Sequence, residues 1–126
     1  MYMELKFKNG SIKINPSNDS DTAKIAIKSS NFKAKINTWG EEIYFKTTFK
    51  GVKLDDKATD LINLGEIAYW VEGNSIAIGF GPTPASKSNE IRLVSPTNIW
   101  ARFDPNPKNL DILRALNDND IVEFLN

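Results

Sequence analysis

Short runs in which apolar and polar residues alternate most strongly constrain how this chain can fold. The first such runs flank Asn9-Gly10, with apolar residues at Met3, Leu5 and Phe7 and then at Ile12 and Ile14. Strict alternation predicts strands with one buried face. Asn-Gly between two such runs favours a tight type I′ turn. A two-residue loop there predicts that Phe7 pairs with Ile12.

The same alternation recurs in short segments separated by turn residues. It predicts further strands at about 31–38, 43–49, 67–71, 76–80, 90–94, 97–103 and 121–125. In the second hairpin, Gly73-Asn74 as a two-residue loop would pair Val71 with Ile76. Ser95-Pro96 is expected to break the chain between two strands, because proline cannot donate to a sheet ladder. The 97–103 segment is expected to place Ile99, Ala101 and Phe103 on one face.

Two segments carry helix signals instead. Polar residues at 18–21 offer N-cap oxygens before an apolar stripe, which predicts a helix near 20–29. Prolines at 105 and 107, each after an Asp or Asn, predict a second helix near 107–117. Residues 58–62 are compatible with a further single helical turn. Many short strands with two helices indicate a mainly β barrel or sandwich, and 126 residues suffice for one domain spanning residues 1–126.

Composition removes several classes of chemistry. The chain has no Cys and no His, which excludes thiolate metal sites, thiol nucleophiles and the usual triad base. We therefore expect no metal and no cofactor. Sixteen basic residues balance sixteen acidic ones, and zero net charge argues against a nucleic-acid partner. No apolar run is long enough to span a membrane, and the first residues lack a signal-peptide core. These features predict a cytoplasmic protein without a membrane partner.

Four motifs occur together in a fixed order. They are TWGEEIYF at 38–45, LGEIAYW at 64–70, GFGPTPAS at 79–86 and NEIRLVSPTN at 89–98. In these motifs, from about residue 36 to residue 103, the chain resembles a family of small prokaryotic cyclophilin-like proteins of uncharacterised function. Family members usually carry two prolines after the Tyr-Trp pair, whereas Val71-Glu72 follows it here.

The resemblance implies an all-β, closed antiparallel barrel of about eight strands, with a helix covering each open end. It does not imply catalysis. Cyclophilins isomerise X–Pro bonds with an arginine on the strand after the first helix, and residues 31–38 contain only Lys33 and Lys35 as cations. No catalytic residue is carried over, and we expect weak or absent prolyl isomerase activity.

Several side chains remain as candidates for a binding site. Glu90 and Arg92 are two residues apart on an extended segment and so share a face. They can form an ion pair, or Arg92 can bind a ligand carboxylate. The loop at 79–84 holds two glycines and two prolines, and it is either the wall of a pocket or a structural corner.

Glu41 and Glu42 are adjacent carboxylates, but neighbours on a strand point to opposite faces, which favours a plain surface or turn role. The aromatic residues of interest are Trp39, Tyr44, Tyr69, Trp70 and Trp100. Tyr69 shares the predicted core face with Ile67, but several of the others, including Trp70, face away from the core, where they either line a groove or are covered by other parts of the chain.

These observations favour a non-catalytic module that binds a peptide or a small molecule in a groove near the Gly81–Ser86 loop. The residues predicted for this groove are Trp39, Phe45, Phe80, Thr83, Glu90 and Arg92. The alternative is an enzyme on the same barrel, such as a divergent prolyl isomerase. The sequence does not specify the ligand or the oligomeric state.

Overall fold

A computed structural model describes residues 3–126, and within this range the protein folds into ten strands and two helices. The strands are β1 (Met3–Phe7), β2 (Gly10–Pro16), β3 (Phe32–Lys35), β4 (Asn37–Thr38), β5 (Glu42–Lys46), β6 (Thr59–Ile62), β7 (Glu66–Trp70), β8 (Ser75–Gly79), β9 (Ile91–Arg102) and β10 (Ile121–Leu125). The helices are α1 (Asp21–Lys28) and α2 (Pro107–Arg114).

The strands form a nearly closed antiparallel barrel, as predicted. Their order around the sheet is β3-β10-β1-β2-β9-β7-β8-β5-β4, and β6 pairs only with β9. The two ends of this order, β3 and β4, are halves of one segment bent at Ile36. That segment pairs with β10 before the bend and with β5 after it. With β3 and β4 counted as one strand and β6 outside the ring, the barrel wall has eight strands. Its closure leaves few exposed strand edges.

Both predicted helices are present, and they lie at opposite ends of the barrel. In α1 the Ser20 side chain caps the N-terminus by accepting a hydrogen bond from the Ala23 amide. Asn106 caps α2 in the same way, with Pro107 in its first turn. Asn126, just after β10, donates to the Ile27 carbonyl beyond the middle of α1. Asn9, in the β1–β2 turn at the other end of β1, donates to the Ile112 carbonyl of α2.

The registers of both hairpins differ from the predicted ones. Leu5 lies opposite Ile12, and Phe7 lies opposite Gly10. The turn residues are therefore Lys8 and Asn9, neither of which has a positive φ, so the turn is not type I′. The contact of Asn9 with α2 fixes this end of the hairpin, which the local pattern could not indicate.

In the second hairpin the partner of each residue again differs by two positions from the prediction. Tyr69 lies opposite Ile76, and residues 71–74 form a four-residue loop. The Asn74 amide donates a hydrogen bond to the Val71 carbonyl across this loop, and Asn74 adopts a φ of +48°. Because side chains alternate with a period of two, a shift of two residues keeps every side chain on its predicted face.

Two other predictions were wrong. Residues Thr59–Ile62 form β6, not a helical turn, because they pair with β9. Ser95-Pro96 does not break β9. Thr59 faces Thr97 while Leu61 faces Arg92, so residues 93–96 bulge out of the ladder, and a bulge is where a strand tolerates proline.

Trp100 lies at a second bulge in β9. Ile67 faces Ala101 and Ala68 faces Ile99, so Trp100 is the extra residue between them. Trp100 and Ala101 are both fully buried in the main core. Ile99 instead packs on the outer face of the sheet. The predicted single face of Ile99, Ala101 and Phe103 is therefore corrected for Ile99, because the bulge shifts the alternation.

Candidate functional site

A second apolar layer covers part of the outer face of the barrel. It consists of β6 and the first half of β9, hereafter the flap (residues 59–62 and 91–97). The flap packs on the outward residues of β5, β7 and β8 through a small cluster of Ile62, Ala68, Ala77, Ile91 and Leu93. Gly79 allows this close crossing, because a Cβ there would lie 2.4 Å from Ile91 Cγ2.

A cavity of about 220 Å³ opens between the flap and the outer face of the sheet. Its lining is mostly apolar, and one carboxylic acid, Glu42, lies within it. The residues that line it are Trp39, Glu42, Tyr44, Trp70, Ala77, Leu93, Val94 and Thr97. They come from four separate segments of the chain, so the cavity exists only in the folded barrel. We call it the outer pocket.

Glu42 is the unusual residue of the outer pocket. Its side chain alternates with Ile43 and therefore leaves the strand on the outer face, beneath the flap. The residue is only 6% exposed, and its Oε1 is buried without a hydrogen-bond partner. Burial disfavours the charged form, and it raises the pKa of Glu42 to about 7. Buried polar groups are rarely left unpaired in folded proteins, so this carboxyl is a strong functional candidate.

Two aromatic rings stand beside this carboxyl. Tyr44 and Trp70 pack edge to face, with ring centroids 6.0 Å apart and planes at 90°. Gly73 leaves the space for Trp70, because a Cβ at Gly73 would lie 2.1 Å from Trp70 Cε3. The indole Nε1 of Trp70 is also buried without an acceptor. Two residues that line the outer pocket, Glu42 and Trp70, thus each carry a buried polar atom without a hydrogen-bond partner.

The loop at 79–86 supports the turn that carries Trp39 and Glu42. The Trp39 amide donates to the Glu42 carbonyl, and the Glu41 amide donates to the Pro82 carbonyl. Gly40, with a φ of +61°, packs so closely on the loop that a Cβ there would lie 2.9 Å from Thr83 Cα. Of the two interpretations left open for this loop, the contacts favour the structural corner, since it stands behind the outer pocket.

Thr83, Glu90 and Arg92, three of the residues predicted for the groove, hold the start of β9 in place. Thr83 Oγ1 donates to the Arg92 carbonyl. The Arg92 guanidinium forms a bidentate pair with Glu90, at 2.8 Å from Nε and 3.1 Å from Nη2. It also contacts Asp60 of β6 at 3.0 Å. These contacts raise the pKa of Arg92 and lower the pKa of Glu90. The Glu90–Arg92 ion pair considered from the sequence is present, and the further contact of Arg92 with Asp60 joins the two strands of the flap.

The other residues predicted for the groove lie apart from one another. Trp39 lines the outer pocket. Phe45 has no exposed surface and belongs to the barrel core. Phe80 borders a different, wide depression near α2 that also includes Glu41 and Arg114. The structure therefore does not gather the six predicted residues around one groove.

The aromatic residues separate into two groups. Trp39, Tyr44 and Trp70 line the outer pocket. Tyr69 and Trp100 lie in the main core, where both contact the ring of Phe49. Strand alternation could have shown that Glu42 and Tyr44 share a face opposite Ile43 and Phe45. No local signal shows that the flap covers that face.

Over residues 3–126, no group of three His, Cys, Asp or Glu side chains is arranged to hold a metal ion. The described helices are also too short or too polar to cross a membrane.

A barrel of eight strands with a helix at each end defines a cyclophilin-type protein, and the comparisons with known proteins agree. The family model described as Cyclophilin-like matches residues 1–123, so the chain belongs to the Cyclophilin-like family. Among solved structures, the chain is similar to the solution structure of the hypothetical protein AF2241 from Archaeoglobus fulgidus. The identity is 26% and the TM-score is 0.80, over 99% of this chain and 93% of that one. No curated protein matches.

Proposed function

We propose that this protein is a non-catalytic binding module and that its ligand occupies the outer pocket. The observation that carries the proposal is the buried, unpaired carboxyl of Glu42 inside a mostly apolar cavity. Binding sites typically combine apolar walls with a few polar groups that orient the ligand. The proposal places the ligand on the outer side of the turn that the Gly81–Ser86 loop supports.

The size of the cavity favours a small ligand or a single side chain of a peptide. Drug-sized ligands occupy pockets of roughly 300–1,000 Å³, whereas the outer pocket measures about 220 Å³. A peptide could insert one residue there, with the rest of its chain passing the exposed Val94 at the rim.

The side chains around the outer pocket support binding more than catalysis. Glu42 is its single carboxyl, and neither a cysteine nor a lysine lines it. The arginines also have acidic partners. Arg92 binds Glu90 and Asp60, and Arg102 contacts Glu66 at 3.3 Å. Arg114 lies on α2, 3.8 Å from Asp111. A free guanidinium beside an apolar socket, which a cyclophilin-type isomerase requires, is missing from the outer pocket.

A fragment screen by heteronuclear NMR tests the proposal. Fragments that bind should shift the amide signals of Leu93, Val94 and Thr97, which line the outer pocket from the flap. Ala77→Leu fills the floor of the pocket and should abolish these shifts. Ala115→Leu adds the same atoms at an exposed position after α2 and should leave them unchanged.

Overpacking at Ala77 can also destabilise the fold, so Trp39→Ala provides a second variant. Trp39 is only half-buried at the rim, and its removal should weaken fragment binding while the fold is retained. Fragment binding that maps elsewhere, or that persists in both variants, would contradict the proposal.

A further inference from the structure

We propose that the outer pocket selects a small protonated amine, with an ammonium N–H donated to the carboxyl of Glu42 and the alkyl substituents packed against the rings of Tyr44 and Trp70. This inference rests on the proposed binding function and adds the chemical class of the ligand.

Glu42 lacks a counter-charge among residues 3–126. Glu42 has neither an ion pair nor a hydrogen bond from its side chain within residues 3–126, although its Oε1 is fully buried. Lys46, two residues beyond Tyr44 on the same strand face, donates instead to the Gly73 carbonyl at 3.3 Å. Arg92 is occupied by Glu90 and Asp60. A buried carboxylate without a partner is costly, so a cation from outside the chain is the group that completes this site.

The walls of the outer pocket suit a cation that carries alkyl groups. The faces of aromatic rings carry negative electrostatic potential and attract ammonium groups. The rings of Tyr44 and Trp70 lie at right angles, and Trp39 adds a third aromatic ring at the rim. The apolar lining of Ala77 and Leu93 suits alkyl groups on the nitrogen. An anionic ligand would face both Glu42 and the ring faces, and it is therefore disfavoured.

An amine with an N–H and a quaternary ammonium ion differ in what they can give to Glu42. The Glu42 carboxyl has no hydrogen-bond donor among residues 3–126, and only a nitrogen that carries a proton can provide one. A quaternary ion would gain the contacts with the rings but leave the carboxyl without a hydrogen bond. The expected order of affinity is therefore protonated amine, quaternary ion, neutral isostere.

Three probes of nearly equal size test this order at pH 8. They are N,N-dimethylethanolamine, which is protonated and has an N–H, choline, which is charged without an N–H, and 3,3-dimethylbutan-1-ol, which is neutral. Titration is followed by the amide shifts of Leu93, Val94 and Thr97. We expect the amine to bind about tenfold more tightly than the neutral alcohol, from charge-assisted hydrogen bonding and cation–π attraction, with choline in between.

The carboxyl is tested by Glu42→Gln, with Glu41→Gln as the matched control. Glu41 is the adjacent residue, is exposed and borders the depression on the other side of the turn. Glu42→Gln should remove the preference of the pocket for the amine over the alcohol while alcohol binding persists. Glu41→Gln should leave the preference unchanged. A preference that survives in Glu42→Gln would overturn the assignment.

The pH dependence gives an independent readout. With a pKa of about 7, the ionised fraction of Glu42 in the free protein falls about tenfold from pH 8 to pH 6. Amine affinity should fall by the same factor, and alcohol affinity should not fall. Tyr44 is the other ionisable residue that lines the pocket, and Lys46 and Glu41 lie on the same strand and turn outside it. Glu42→Gln should abolish the pH dependence.

The outcomes separate the two proposals. Equal binding of the alcohol and the amine at the flap amides would overturn the selection of amines and leave the outer pocket as the binding site. Absence of binding by all three probes to the folded protein would also overturn this inference. The fragment screen, which includes acidic and neutral compounds, then decides the proposed function separately.

Discussion

Replacement of Glu42 by glutamine should stabilise the ligand-free protein, and the gain should grow with pH. Folding raises the pKa of Glu42 from 4.5 to about 7, so the folded state binds this proton more tightly than the unfolded state. Below pH 4.5 the carboxyl is protonated in both states, so its ionisation does not lower the free energy of unfolding. As the pH rises towards 7, the unfolded state ionises first, and the free energy of unfolding falls.

The size of the effect follows from the two pKa values. One pKa unit corresponds to about 1.4 kcal/mol. Ionisation of Glu42 therefore lowers the free energy of unfolding by about 3 kcal/mol in total, and this loss is complete above pH 7. At pH 5 the same relation gives a loss of about 1 kcal/mol. The wild-type protein should therefore lose about 2–3 kcal/mol relative to Glu42→Gln between pH 5 and pH 8.

Urea denaturation of both proteins at the two pH values measures this difference. The change with pH is more informative than either absolute value, because a glutamine amide in the pocket also lacks partners. That cost does not depend on pH. Glu41→Gln, at the neighbouring exposed carboxyl, is the matched control for the loss of one acidic side chain from this turn. If the difference between wild type and Glu42→Gln is the same at pH 5 and pH 8, Glu42 is not the unpaired buried acid described above.

Three further predictions address packing and activity. Gly73→Ala should lower the free energy of unfolding by about 1–3 kcal/mol in urea, because its Cβ would overlap the ring of Trp70; an unchanged midpoint would contradict the packing. Gly10→Val should cost more than about 1 kcal/mol, because Gly10 has a φ of +147° and its Cβ would lie 2.8 Å from Ile112 Cδ1; a cost well below this would argue against the contact. In a protease-coupled assay with a proline peptide, turnover should not exceed the uncatalysed rate, and Arg92→Ala should not alter it; turnover that Arg92→Ala abolishes would make Arg92 catalytic.

The side of the sheet on which a residue lies was largely predictable, whereas its partner across the ladder was not. Met3, Leu5 and Phe7 are buried as the alternation predicted. The turn that joins them to β2 contacts α2 through Asn9, more than 100 residues away in sequence. Alternation is a local property, and it does not report such a contact or the register of the ladder.

The candidate site was predictable only in parts. The alternation already places Tyr44 and Trp70 on the outer face of their strands, and the Glu41-Glu42 pair was considered for its carboxylates. The cavity arises because the flap crosses Gly79 and covers Glu42. That crossing depends on β9 remaining continuous through Pro96, and a proline in a strand-like run predicts the opposite. The residues predicted from the sequence therefore centre on the supporting loop, which lies behind the turn that lines the cavity.

The continuity of β9 also gives the protein two levels of stability. Residues 98–102 of β9 pair with β7 within the barrel, whereas residues 91–97 pair only with β6. Between the two parts, buried Asn98 anchors the strand through its Nδ2, at 3.1 Å from Thr22 Oγ1 and 2.8 Å from the Lys53 carbonyl. We therefore expect the β6 ladder to separate while the barrel stays intact, as in local unfolding. In hydrogen exchange, β6 amides would then report the opening of the flap, and β8 amides would report global unfolding.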